Sequence, residues 1–132
     1  MFSNIKTSEA NKEIVTQLTN RLNLGAENII ARLAFSYSLA KERKLNLKFM
    51  EDSKGKEYSI KVLFGNCPEI YLSLIAIHYQ INVNQPEIAK YVKMHIDDGL
   101  ELIYQELKNK SSVTGSDFLI NEIEQQLLPL TL

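Results

Sequence analysis

Two histidines, one cysteine and a short run of carboxylates are the residues of this 132-residue chain whose types could do chemistry. His95 and Asp98 stand at i, i+3, a spacing that brings side chains together on a helix. A carboxylate beside an imidazole can orient a general acid or base, although the same pair is common on a wet helix face. Asp97, Asp98 and Glu101 offer oxygen ligands, but hard cations take more oxygens than one helix presents. A plain acidic helix face is therefore expected, with no metal site. His78 follows Ile75-Ala76-Ile77 and reads as a packing residue. Cys67 has no partner for a disulfide or a metal site, which suits a reducing cytoplasm. The chain contains no glycine-rich phosphate loop, GxSxG elbow, HExxH pair or CxxC pair. No catalytic residue and no cofactor are expected.

The remaining chemical signal is cationic. Lys41, Arg43, Lys44, Lys48, Lys54 and Lys56 crowd one stretch, with Lys61 beyond it and Arg21 and Lys6 as secondary candidates. The formal net charge is −1, yet residues 1–65 carry eleven basic against seven acidic side chains and residues 66–132 carry four against nine. Long basic side chains suit phosphate contacts, which need reach more than fixed geometry and give salt-dependent binding. The competing reading is a solvated strand edge protected by lysines. Phe49 and Tyr58 are the nearby aromatics; both fall on the apolar phase of their segments, so base stacking is not expected from them.

These residues must be positioned by a small, mainly helical domain. A brief extended segment, Ile5-Lys6-Thr7, precedes a helix with Ser8 as its N-cap and Ile14, Val15, Leu18 and Leu22 on its apolar face. Asn23-Leu24-Gly25 ends that helix, with Gly25 as the left-handed residue. A second helix from about Ala26 is apolar on most sides, and Arg32 on it reads as a helix-packing or interface ion pair. The pattern then turns to period two: Leu45, Leu47, Phe49 and Tyr58, Ile60, Val62, separated by a polar run, predict a β-hairpin over about 45–63. Asn66 and Pro68, following the glycine turn at Gly65, open a mostly buried helix containing Ile70, Leu72, Leu74, Ile75 and Ile77. Ile88 to Leu107 then define a long amphipathic helix running to about Lys108. Gly99 within it costs about 1 kcal/mol relative to alanine, which a close approach by a neighbouring backbone would explain. Residues 1–110 are taken as one domain and 111–132 as a linker with a short amphipathic tail. The apolar fraction of 45% is ordinary for a globular protein. Met1 to Lys6 has no signal-peptide character, and no apolar run reaches the roughly 18 residues that span a bilayer. A cytoplasmic protein is expected.

Three stretches, in order, resemble the DndE family of DNA sulfur modification proteins. They are Leu24-Gly25-Ala26-Glu27-Asn28-Ile29-Ile30-Ala31-Arg32 running on to Ala40, Leu63-Phe64-Gly65 with Ile70-Tyr71-Leu72-Ser73-Leu74, and His95 with Gly99-Leu100. The likeness covers about residues 5–108, and Asp97-Asp98 stand where members often carry basic residues. The resemblance implies a subunit of the bacterial machinery that replaces a non-bridging phosphate oxygen of DNA with sulfur. It implies partnership with an iron–sulfur sulfur-transfer protein and an SMC-like ATPase, binding to duplex or nicked DNA, and self-association into a homo-oligomer. The opening strand and two helices also look like a ribbon-helix-helix unit, so a transcription regulator or antitoxin is the alternative. The expected fold is mainly α, with that ribbon-helix-helix-like start and an inserted β-hairpin.

Overall fold

The computed structural model describes residues 2–110 and 113–131. Ser111 and Ser112 of the expected linker and the side chain of Leu127 lie outside the described residues. Helices α1 (Asn11–Leu22), α2 (Glu27–Ala40), α3 (Ile60–Phe64), α4 (Pro68–Tyr79), α5 (Glu87–Leu107) and α6 (Gly115–Thr131) accompany strands β1 (Asn4–Lys6) and β2 (Glu57–Ser59). Burial follows the apolar periodicity: Val15, Leu18 and Leu22 of α1 face Ile30, Ala34 and Phe35 of α2 and Val92, Ile96, Leu100 and Ile103 of α5 in one core.

The α2–α5 crossing organises that core. A Cβ built on Gly99 would lie 1.8 Å from the Ala34 carbonyl oxygen, so the two backbones touch where no side chain fits. The glycine is the close approach that its place in a long helix suggested.

The expected β-hairpin does not form. Leu47–Phe49 make a 3-10 turn, and residues from Ile60 enter α3, whose first turn is capped by Ser59 Oγ accepting from the Val62 amide. Ile60, Leu63 and Phe64 are buried while Val62 is half exposed. Their i, i+3, i+4 spacing is helical and outweighs the short alternation that precedes it. The partner of β2 is β1: Asn4 lies opposite Ser59, Ile5 opposite Tyr58 and Lys6 opposite Glu57, antiparallel. Strand β1 thus pairs along one edge with a strand of its own chain.

Three local expectations also change. Asn23 (φ 51°, ψ 42°) is the left-handed residue that ends α1, donating its amide to the Thr19 carbonyl, while Gly25 has φ 141° in the following turn. Ala10, not Ser8, occupies the position before α1 and makes no side-chain cap; the Ser8 hydroxyl instead accepts from Asn11 Nδ2 at 3.0 Å. Helix α4 begins from Cys67 with Pro68 in its first turn, and it is not mostly buried. Leu72 and Ile75 face the core, whereas Ile70, Leu74 and Ile77 are exposed.

Candidate nucleic-acid interface

The cations of the 41–56 segment meet different fates. Lys41 pairs with Glu122 at 3.2 Å and lies over the Tyr37 ring. Arg43 grips Asp98 with two nitrogens, at 3.2 and 2.9 Å, and that bond raises its pKa. Lys44 donates to the His78 carbonyl and covers the Tyr79 ring, and Lys56 meets Glu27 at 3.3 Å. Arg21 bonds the carbonyls of Leu107 and Lys110, capping the end of α5. Arg32 does the same for α3, with Nε 2.6 Å from the Leu63 carbonyl and Nη2 3.2 Å from that of Val62. It is a helix cap beside Gly65, whose φ is 68°, and forms no ion pair among the described residues. Lys48, Lys54 and Lys6 are exposed and likewise make no ion pair there.

Those contacts fix the segment that carries Lys48 and Lys54. Arg43 and Lys44 hold one end against α5 and α4. At the other end the Gly55 amide donates to the Thr7 carbonyl and the Thr7 amide to the Lys56 carbonyl, both at 2.9 Å. Asp52 accepts from the Glu9 and Lys54 amides, which holds its carboxyl below the usual range. Between the anchors, Asn46 Oδ1 accepts from the Lys48 amide at 2.9 Å and starts the 3-10 turn. Lys48 and Phe49 project from that turn, and the Phe49 ring is 78% exposed. The strand reading had placed this ring on an apolar face. A period-two count could not reveal its exposure, because the residue is not in a strand.

His95 and Asp98 do meet, but in the interior. The Leu45 amide donates to Tyr79 Oη at 3.0 Å, Tyr79 Oη lies 2.5 Å from His95 Nε2, His95 Nδ1 lies 2.8 Å from Ser38 Oγ, and Ser38 donates to Asp98 Oδ2 at 2.6 Å. Because the one Ser38 proton points to Asp98, Ser38 accepts from Nδ1–H, leaving Nε2 to accept from Tyr79. His95 is wholly buried, contrary to the wet face expected of it. Burial first, then His78, pushes its pKa down to about 4. A neutral imidazole closed at both nitrogens is a structural link between α2, α4 and α5. His78 is half-buried, with Nε2 2.6 Å from the Arg43 carbonyl.

The depressed His95 pKa has a signed consequence. The unfolded chain takes up this proton near pH 6.5 and the folded chain only near pH 4. The neutral site's contribution is therefore complete above about pH 6.5 and declines as pH falls toward 4, by on the order of 3 kcal/mol. Urea melts at pH 7 and 4.5 should show a smaller loss for His95→Gln than for the parent; an equal loss in both would refute a neutral buried imidazole.

The carboxylates are also engaged. Asp97 is buried, accepting from Lys93 Nζ at 2.7 Å, Asn11 Nδ2 at 2.8 Å and the Ser8 amide at 3.1 Å. It is therefore not part of a plain acidic surface. Among the described residues no group of three or more His, Cys, Asp or Glu side chains is placed to hold a metal ion. Glu101 is raised in pKa by burial and then by Glu51. It lines a cleft of about 340 Å³ between the 44–51 segment and α5, with Leu45, Asn46, Phe49, Glu51 and Met94.

A family model described as DNA sulphur modification protein DndE matches residues 4–111. The chain belongs to the DndE family. Its members take part in DNA sulfur modification, and residues 4–111 contain every element from β1 to α5. A crystal structure of DndE from Escherichia coli B7A, involved in DNA phosphorothioation modification, is similar at TM-score 0.63 and 18% identity. The alignment covers 78% of this chain and 98% of that one. A glycine-to-lysine mutant of DndE involved in DNA phosphorothioation is similar at TM-score 0.66, with the same identity and coverage. At that identity the shared property is the DndE fold. No curated protein sequence matches. Helix α6 starts beyond the segment matched by the DndE model and docks through buried Phe118, whose ring lies 5.6 Å from that of Tyr37. No helix of the described residues is long and apolar enough to cross a membrane.

Proposed function

We propose that this DndE-family chain is a non-catalytic, cytoplasmic DNA-binding and assembly subunit of the phosphorothioation machinery, holding duplex or nicked DNA by phosphate contacts. The observation that carries this reading is the braced 41–56 segment. Its outer cations, Lys48 and Lys54, are exposed and without ion pairs among the described residues, while Lys41, Arg43, Lys44 and Lys56 have intramolecular partners that brace it. Lys6 on β1 is a further exposed contact, and Lys41 and Lys56 are secondary ones because exposed pairs yield readily to a phosphate. Arg21, engaged as a helix cap, contributes indirectly. The closed His95 network supports a binding role over acid–base chemistry. Partners of this reading are the iron–sulfur sulfur-transfer subunit, the SMC-like ATPase and further copies of the chain. The exposed α4 stripe of Ile70, Leu74 and Ile77 supplies apolar area for such assembly. In this reading residues 1–110 are the working domain and 111–132 a linker and tail carrying α6. A ribbon-helix-helix regulator is less well supported, because β1 is paired with β2 of its own chain.

Each phosphate contact removed lowers the slope of log K against log[salt] by about 1. Replacing Lys48 and Lys54 by alanine should therefore reduce the slope for a random duplex by about 2, whereas Lys90→Ala with Lys108→Ala, an equal change of charge, should leave it nearly unchanged. Titration by fluorescence anisotropy between 50 and roughly 200 mM salt covers the useful range. Equal slopes in both double mutants would reject the assignment of the site.

A further inference from the structure

We infer that the cleft beneath Phe49 receives an unstacked DNA base, with the Phe49 ring as its stacking surface. The inference rests on the DNA-binding reading above and adds what the site recognises: an interruption of the base stack as well as the phosphate backbone.

Four features of the cleft support it. An aromatic ring that is 78% exposed sits on a turn fixed by hydrogen bonds from both the Lys48 and Phe49 amides to Asn46. The ring is absent from the hydrophobic core, and its backbone is already held, so little ordering cost attends a stack. Lys48, exposed, precedes Phe49 in the same turn, and Lys44, whose ammonium donates to the His78 carbonyl, lines the cleft. The lining includes Leu45 and Met94, and the volume of about 340 Å³ falls within the range of small-ligand sites.

The charge within the cleft selects between backbone and base. Glu51 and Glu101 line it, alongside Asp97 and Asp98, which are paired with Lys93 and Arg43. Carboxylates repel phosphate, so the sugar–phosphate chain stays outside the cleft. An uncharged base has no such penalty, and its N–H groups can donate to carboxylate oxygens.

The test compares two duplexes of one sequence, fully paired or carrying a single unpaired base. The parent protein should prefer the second. Phe49→Ala, at an exposed position outside the core, should lower affinity for the unpaired-base duplex by about 5- to 150-fold, the range for losing one base–aromatic stack. Its affinity for the fully paired duplex should change by less than about twofold on the same footing. The chain has no tryptophan, so Phe49→Trp supplies a single reporter that should retain the preference and lose fluorescence when the unpaired-base duplex binds. Retained preference in Phe49→Ala, or an unquenched tryptophan on bound DNA, overturns the inference while leaving phosphate binding intact. Loss of binding to a partner protein alone, with all DNA affinities unchanged, reassigns Phe49 to a protein contact and likewise overturns it. If the parent binds neither duplex, the DNA-binding reading fails and this inference with it.

Discussion

Replacing Asp97 by alanine is expected to cost about 3–5 kcal/mol of stability, the usual effect of breaking a buried ion pair from one side. Asp97 and Lys93 are only 6% and 5% exposed. Without the carboxylate, the Lys93 ammonium would be left uncompensated inside the protein, and the Ser8 amide and Asn11 Nδ2 would lose a shared acceptor. Lys93→Met with Asp97→Leu removes both charges and should recover a large part of the loss. Urea unfolding of the two single variants and the double variant measures this directly. A single Asp97→Ala variant within about 1 kcal/mol of the parent would show that the pair is solvated.

Gly99→Ala is expected to be nearly as damaging, although alanine is the better helix former by about 1 kcal/mol. The new methyl would fall 1.8 Å from the Ala34 carbonyl oxygen. The obstacle is backbone, not the end of a flexible side chain, so α2 and α5 must separate along a contact lined by Ile30, Phe35, Ile96 and Leu100. The resulting loss should stand at or above the upper end of the about 1–3 kcal/mol typical of overpacked cores. A lower urea midpoint with reduced near-ultraviolet dichroism is the expected signature. A variant as stable as the parent would contradict the close crossing.

The long helices were legible because many residues repeat one period. Ile88, Val92, Ile96, Leu100, Ile103 and Leu107 leave little choice but an amphipathic helix, and Gly99 pointed to a backbone contact without naming Ala34. The segment from 45 to 63 was not legible in the same way. Alternation at Leu45, Leu47 and Phe49 is too short to distinguish a strand from a braced turn, and no local rule pairs Glu57–Ser59 with residues near the N-terminus. The family likeness was carried by the ordered set of short motifs, each weak by itself. The candidate site was legible as a cationic segment but not as a divided one. Which lysines hold the fold together depends on Glu27, Glu122 and the His78 carbonyl, which only tertiary structure brings near. Likewise, the i, i+3 spacing of His95 and Asp98 was informative about proximity and silent about the serine standing between them.

The β1–β2 pairing joins Ile5 to Tyr58 across 53 positions. During synthesis, Asn4–Lys6 therefore have no strand partner until Glu57–Ser59 have been made. Closing so long a loop from an open chain carries an entropic cost, which is smaller once α1 and α2 have packed and brought the ends near one another. Strand β1 thus cannot lock as it is made and waits for a distant partner. The turn bearing Lys48 and Phe49 gains its Thr7 anchor with that pairing, while its other anchor waits for His78 on α4 and Asp98 on α5, so the braced segment is complete only after the helices that follow it have been made.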